Sequence, residues 1–259
     1  MEVQLVSAGK GWQWIVDGYV LFRKSPAMWI AITLLLGVIW LVSMIIPVLG
    51  PLLFNLFSPL LFAGLMAGCR ALEKGETLEL RHLVAGFKVR AAPLVTIGGV
   101  YLVGTILVVG IVLVVAGGAM LPSILSKAGT DIETLRAAMR SMALALAVGA
   151  AVYLPLIMLI WFAPLLVMFD GMTPVAAMKL SFAACFKNTL PFTVYGLAIL
   201  GLWVVMSLPA AMGIAGALLV IVLLVGSIPV FVCSIYASYR DVFVARGAPA
   251  AGGGNPFLR

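Results

Sequence analysis

Thr173–Gly196 reads Thr-Pro-Val-Ala-Ala-Met-Lys-Leu-Ser-Phe-Ala-Ala-Cys-Phe-Lys-Asn-Thr-Leu-Pro-Phe-Thr-Val-Tyr-Gly. Thr173 is placed to cap a helix and Pro174 to start it, because a proline in the first turn lacks only an N–H that has no helical partner there. Val175, Met178, Phe182, Cys185 and Phe186 then recur at helical spacing, with Lys179 and Lys187 off that face. Pro191 ends the segment and an apolar run follows it. The stretch predicts a helix lying on a membrane surface, then a proline, then a helix entering the bilayer.

The same order occurs twice more. Segment 7–24 carries Trp12, Ile15, Tyr19 and Phe22 at helical spacing beside Lys10, Arg23 and Lys24, and ends at Ser25-Pro26. Tryptophan and tyrosine next to lysine suit the headgroup layer, which serves both an apolar ring and a polar tip. Segment 77–92 puts Leu80, Leu83, Val84 and Phe87 on one face, with Glu79, Arg81, His82 and Lys88 elsewhere, and meets Pro93. The expected interfacial helices are thus 7–24, 77–92 and 173–190. The expected spans are 27–46, 52–69, 94–120, 141–169, 192–208 and 214–239, each near the roughly 20 residues that cross a bilayer core. The fourth is longer than needed and contains Pro155 and Pro164, so tilt, a kink or protrusion is expected there.

Composition agrees. Hydrophobic residues make up 64% and charged residues 10% of the 259-residue chain, where soluble domains average roughly 45–50% and 25%. Mean hydropathy is +1.23. The expected fold class is therefore all-α: a polytopic membrane bundle of six transmembrane helices in three hairpins, each preceded by an interfacial amphipathic helix. Residues 1–246 read as a single transmembrane domain and 247–259, rich in glycine, as a flexible cytoplasmic tail. Met1–Gly11 has no apolar core, so no cleavable leader is expected. Three cysteines suggest no disulfide framework.

With both termini on one side, that side receives thirteen of the sixteen Lys and Arg residues, leaving Lys127, Arg136 and Arg140 on the other. The positive-inside bias then makes both termini cytoplasmic. It also accounts for the net charge of +7 without a nucleic-acid partner.

The three units align at their junctions, Phe22-Arg23-Lys24-Ser25-Pro26, Phe87–Pro93 and Phe186–Pro191. Their returning spans carry Pro59-Leu60-Leu61-Phe62, Pro164-Leu165-Leu166-Val167 and Pro229-Val230-Phe231-Val232. All three have one orientation, so the repeat is parallel rather than inverted.

The layout Trp14-x-x-x-Gly18-x-x-x-Phe22-x-x-x-Pro26-x-x-Trp29, with Trp161-Phe162-Ala163-Pro164 ahead of Pro191–Gly196, resembles a family of proteobacterial six-span inner-membrane proteins with no assigned function. More distantly it is similar to the membrane domain of bacterial glycerophosphodiester phosphodiesterases. The resemblance covers nearly the whole chain and implies the bacterial inner membrane, but its motifs are architectural. It carries over no catalytic residue, and the soluble phosphodiesterase domain has no counterpart here.

No Asp, Glu, Lys, Arg or His falls deep within an expected span, which argues against proton- or ion-coupled transport. Asn55 is the main polar residue inside a span. It is the candidate intramembrane polar site, with a hydrogen bond to a neighbouring helix as the plainer role. Arg23, Lys24, Arg81, Lys88, Arg90, Lys179 and Lys187 are the candidate contacts for lipid headgroups. His82, Cys69, Cys185 and Cys233 are of zinc-binding type, but their spacing fits no metal motif. Asp17, Asp170 and Asp241 are expected to pair with nearby Lys or Arg. No catalytic, cofactor or metal site is expected, and membrane lipids are the expected partners. Three functions follow in order: a non-enzymatic protein that contacts lipids or partner proteins, a small transporter or channel with a path between the hairpins, and an enzyme acting on lipids at the cytoplasmic face.

Overall fold

The computed structural model describes residues 2–125 and 132–243. Expectations for Lys127 and the tail 247–259 lie outside the described residues. A first helix, α1 (Lys10–Phe22), precedes α2 (Pro26–Ser43) and α3 (Leu49–Glu73). A 3-10 turn at Leu80–Val84 leads into α4 (Ala85–Val89), α5 (Ala91–Leu125) and α6 (Ile132–Ile160). Then come α7 (Ala163–Asp170), α8 (Pro174–Lys187), α9 (Thr189–Ser207), a 3-10 turn at Leu208–Met212, and α10 (Ile214–Phe243). Among the described residues there is no strand. Six stretches are long and apolar enough to cross a membrane: Pro26–Ser43, Leu49–Glu73, Ala91–Gly117, Leu135–Asp170, Thr189–Met212 and Ile214–Phe243. The chain is an all-α, multi-pass membrane protein.

Pro26 and Pro174 each open a helix, as their fixed φ favours. The segment 77–92 differs from the expected single helix. Glu79 is extended (φ −133°, ψ 155°) and its N–H is taken by His82 Nδ1 at 3.0 Å, so a 3-10 turn forms first. Arg90 (φ −142°, ψ 42°) then leaves helical geometry and separates α4 from α5. The long fourth span breaks at Trp161-Phe162, just before Pro164.

Two compact units are present, one gathering Met1–Thr33, Cys69–Leu78 and Phe186–Arg259, the other Leu34–Gly68 and Glu79–Cys185. In the first, α1 crosses α9 and α10. Gly11 sits on α9, where a β-carbon would stand 2.7 Å from the Tyr195 nitrogen. Gly18 sits on α10, where a β-carbon would stand 2.7 Å from both the Val230 oxygen and the Ser234 nitrogen. Between them Trp14 is fully buried, its ring 5.2 Å from Phe192 and 5.8 Å from Tyr195. Its indole N–H donates to Asp241 Oδ2 at 3.2 Å. Asn188 ties the N-terminal segment down: its Oδ1 accepts from the Val6 N–H and its amide donates to the Gln4 carbonyl, both at 3.0 Å.

In the second unit α5 and α6 pack along each other, with Tyr101 and Tyr153 hydroxyls 3.0 Å apart. Pro59 has no N–H for the Asn55 carbonyl, and the Ser58 hydroxyl donates to that carbonyl instead at 2.8 Å. One residue on, the Leu60 carbonyl lies against Gly86 of α4. At the break between α6 and α7, Ser181 of α8 supplies the missing bonds: its hydroxyl donates to Met158 O at 2.7 Å and accepts from Phe162 N–H at 3.0 Å.

These contacts revise the reading of the interfacial segments. The sequence singled out their large apolar residues. Trp12, Tyr19, Leu80, Val84, Phe87, Val175 and Phe186 are all exposed on the protein surface. The buried face keeps Ile15, Leu83, Met178 and Cys185 of the residues singled out, with Trp14, and sets small residues among them: Gly11 and Gly18 in α1, Gly86 in α4, and Ala177, Ser181 and Ala184 in α8. Hydrocarbon solvates leucine as well as protein does, so helices in a membrane associate by close backbone approach rather than by burying apolar bulk.

Gly18→Val therefore lifts α1 from α10. A loss of about 1–3 kcal/mol is expected from the overpacking, read as a lowered unfolding midpoint in detergent. Gly37→Ala, where a β-carbon meets nothing within 4 Å, leaves the midpoint in place.

Candidate functional site at the interfacial ends

In the first unit, the last turn of α3 and the last turns of α10 meet the middle of α1. Arg240 is the centre. Its Nη2 donates to Asp17 Oδ2 at 2.9 Å and its Nη1 to Glu73 Oε1 at 3.1 Å. The other oxygen of Glu73 accepts the Tyr236 hydroxyl at 2.5 Å, and Asp17 Oδ1 accepts Gln13 Nε2 at 2.8 Å. Lys24 Nζ donates at 2.9 Å to the Leu72 carbonyl at the end of α3, which also accepts from the Gly75 N–H at 3.2 Å. The crevice between these groups has a volume of about 150 Å³. Both carboxylates are committed to one guanidinium, so the set is a clamp joining α1, α3 and α10 and not an acid–base pair. A second ion pair, Lys10 Nζ to Asp241 Oδ2 at 3.1 Å, fixes the start of α1.

The expected pairing of Asp17 and Asp241 is thus found, while the parts of Glu73, Tyr236 and Gln13 were not read from sequence. Glu73 and Arg240 are 167 residues apart. No local periodicity relates them.

The seven candidate headgroup residues are all exposed. In the first unit Arg23 lies over the Tyr19 ring, 5.8 Å from its centroid, and follows the same turn as Lys24, whose ammonium reaches Leu72. Lys187 ends α8. In the second unit Arg81 pairs with Glu79 at 2.8 Å, and the Arg90 guanidinium lies over Gly171 at the end of α7. Lys88 and Lys179 stand on α4 and α8. Arg23, Lys88, Lys179 and Lys187 make no hydrogen bond or ion pair among the described residues.

Asn55 is half-buried, and its side-chain oxygen has no hydrogen-bond partner among the described residues. Cys69 and Cys233 are buried with their sulfurs 3.8 Å apart. Cys185 is buried in α8, and its burial pushes the thiol up to about 12 against the opposing effect of the Ser181 hydroxyl. His82 Nδ1 is taken by Glu79.

The clamp has a direct test. Glu73→Gln and Arg240→Gln each lower stability, and together they lower it by less than the sum. A coupling of about 1 kcal/mol is expected for a half-exposed pair within a network. A double-mutant cycle of unfolding in detergent measures it.

Among proteins of known sequence, the chain is similar to a probable inner membrane protein of Burkholderia thailandensis. The two are 29% identical over 266 aligned positions, covering 96% of this chain and 97% of that one. No protein-family model matches. No solved structure matches. None of these comparisons shows the link to glycerophosphodiester phosphodiesterases. What they do show is a likeness, running the length of both chains, to a protein named for the inner membrane.

Proposed function

We propose that this is a non-enzymatic, multi-pass protein of the bacterial inner membrane, a single transmembrane domain over 1–246 built on three hairpins, whose interfacial segments hold anionic lipid headgroups at the cytoplasmic face. The observation that carries the reading is the state of Arg23, Lys88, Lys179 and Lys187. They are exposed and make no hydrogen bond or ion pair among the described residues, on segments that turn Trp12, Tyr19, Phe87, Val175 and Phe186 outward. A cation beside an outward apolar group matches the layer where phosphate meets hydrocarbon. The name of the Burkholderia relative supports the inner membrane. The side bias of Lys and Arg supports cytoplasmic termini.

Each basic residue near an anionic surface is worth about 1 kcal/mol, or roughly fivefold in affinity. Replacing Arg23, Lys88, Lys179 and Lys187 together by Gln should abolish the enrichment of anionic over zwitterionic phospholipid around the purified protein, as measured by lipid mass spectrometry. Unchanged enrichment sinks the proposal.

A second reading, a small transporter or channel, is favoured by one observation: the unpartnered side-chain oxygen of Asn55. An Asn55→Cys variant separates the two. Under the lipid-contact reading a membrane-impermeant thiol reagent leaves position 55 unlabelled in intact membranes. Rapid labelling there reveals a water path and favours the second reading.

A further inference from the structure

The region between α9 and α10 is closed at both ends and parted in the middle. At the inner end Tyr195 stacks on Phe231 with centroids 6.2 Å apart, and its hydroxyl meets Ser234 Oγ at 2.5 Å. At the outer end Gly216 lies against the Pro209 carbonyl. Between these points is a cleft of about 530 Å³. Ile199 and Trp203 of α9 form one wall, Ile228 and Phe231 of α10 the other, and Trp12 and Tyr19 of α1 form the roof.

The chemistry of the lining selects the occupant. Apart from Tyr19 at the roof, the lining hydroxyls are those of two serines, and both have spent their hydrogens on the backbone: Ser227 on Leu224 O at 2.8 Å and Ser234 on Phe231 O at 2.7 Å. Water would find too few partners to stay. Hydrocarbon needs none, and the volume falls within the roughly 300–1,000 Å³ of ordinary ligand clefts. At the roof, Tyr19 lines the cleft from below and carries the Arg23 guanidinium above. Arg23 has no anionic partner among the described residues. An apolar cleft with an unpaired cation at its interfacial rim has the polarity of one phospholipid: chain inside, phosphate outside.

We infer that the cleft between α9 and α10 is a binding site for a single phospholipid, with one acyl chain under α1 and the phosphate against Arg23. It rests on the lipid-contacting reading above and deepens it. The other candidate cations face a shared layer of lipid. Arg23 instead serves a discrete site with a stoichiometry of one.

The test uses the full chain in mild detergent, titrated with dioleoyl phosphatidylglycerol and followed by native mass spectrometry. Wild type should take up one lipid ahead of any statistical ladder. Ile199→Trp and Leu202→Trp fill the cleft and should weaken that first event at least tenfold. Val205→Trp, on the exposed face of α9, should leave it unchanged. Arg23→Gln should weaken it several-fold. A ladder without a preferred first step, or equal uptake by Ile199→Trp and Val205→Trp, overturns the site. Should the filling variants not fold, brominated phosphatidylglycerol decides, added at one molecule per chain. The emission lost on Trp203→Phe substitution must be quenched in wild type, and unquenched emission overturns the site. The collar reading fails separately. Neutralising Lys88, Lys179 and Lys187 leaves the single adduct in place whether or not the surrounding lipid remains enriched in anions.

Discussion

Close backbone approach at small residues is the contact on which this structure depends. Gly18 against Val230 and Ser234, and Gly86 against Leu60, bring α1 and α4 onto long apolar helices at distances no side chain permits. Leu60 and Val230 each follow directly on a proline, Pro59 and Pro229, inside a returning span. Proline removes a backbone donor and leaves a carbonyl to be satisfied some other way. In hydrocarbon such a carbonyl is costly, so the neighbourhood of each proline is where a covering segment gains most by lying close. At the break in the fourth span, ahead of Pro164, Ser181 makes that cover explicit through two hydrogen bonds.

The charged clamp operates at another level. Arg240 with Asp17 and Glu73, and Lys10 with Asp241, join α1 to the last turns of α3 and α10. Half-exposed pairs of this kind contribute little individually. Their value is register: a guanidinium shared by two carboxylates on different helices fixes the rotation of α1 about its own axis. That rotation decides which residues of α1 roof the cleft and which cation stands at its rim. Charge network and apolar cleft therefore belong to one arrangement, with α1 as the common part.

Much of this was legible in the sequence. Six apolar runs, the helix-opening prolines at 26 and 174, and the basic junctions each rest on local pattern, and local pattern survives folding. The inward faces of α1 and α8 were legible only at Ile15, Met178 and Cys185, because the glycine, alanine and serine around them carry almost no hydrophobic signal. Their role exists only opposite a partner backbone. The clamp was missed for a similar reason, since Glu73 and Arg240 come together through the fold alone. Segment 77–92 was over-read as one helix: its periodicity is helical, but the bond from Glu79 to His82 and the backbone of Arg90 cut it into two short turns. Asn55 was read as a polar site inside a span, and its side-chain oxygen has no partner among the described residues.

The seat of α1 on α10 has a consequence for how the protein is made. Trp14 and Asp241 are 227 residues apart, so α1 leaves the ribosome long before the helix on which it docks. At synthesis rates of about 5–20 residues per second, α1 waits on the order of 10–45 s for its site to exist. During that time its outward aromatic face and its basic residues can keep it on the membrane surface, while Gly11 and Gly18 have nothing to pack against. The contact that closes the first unit thus cannot form until α10 has been made.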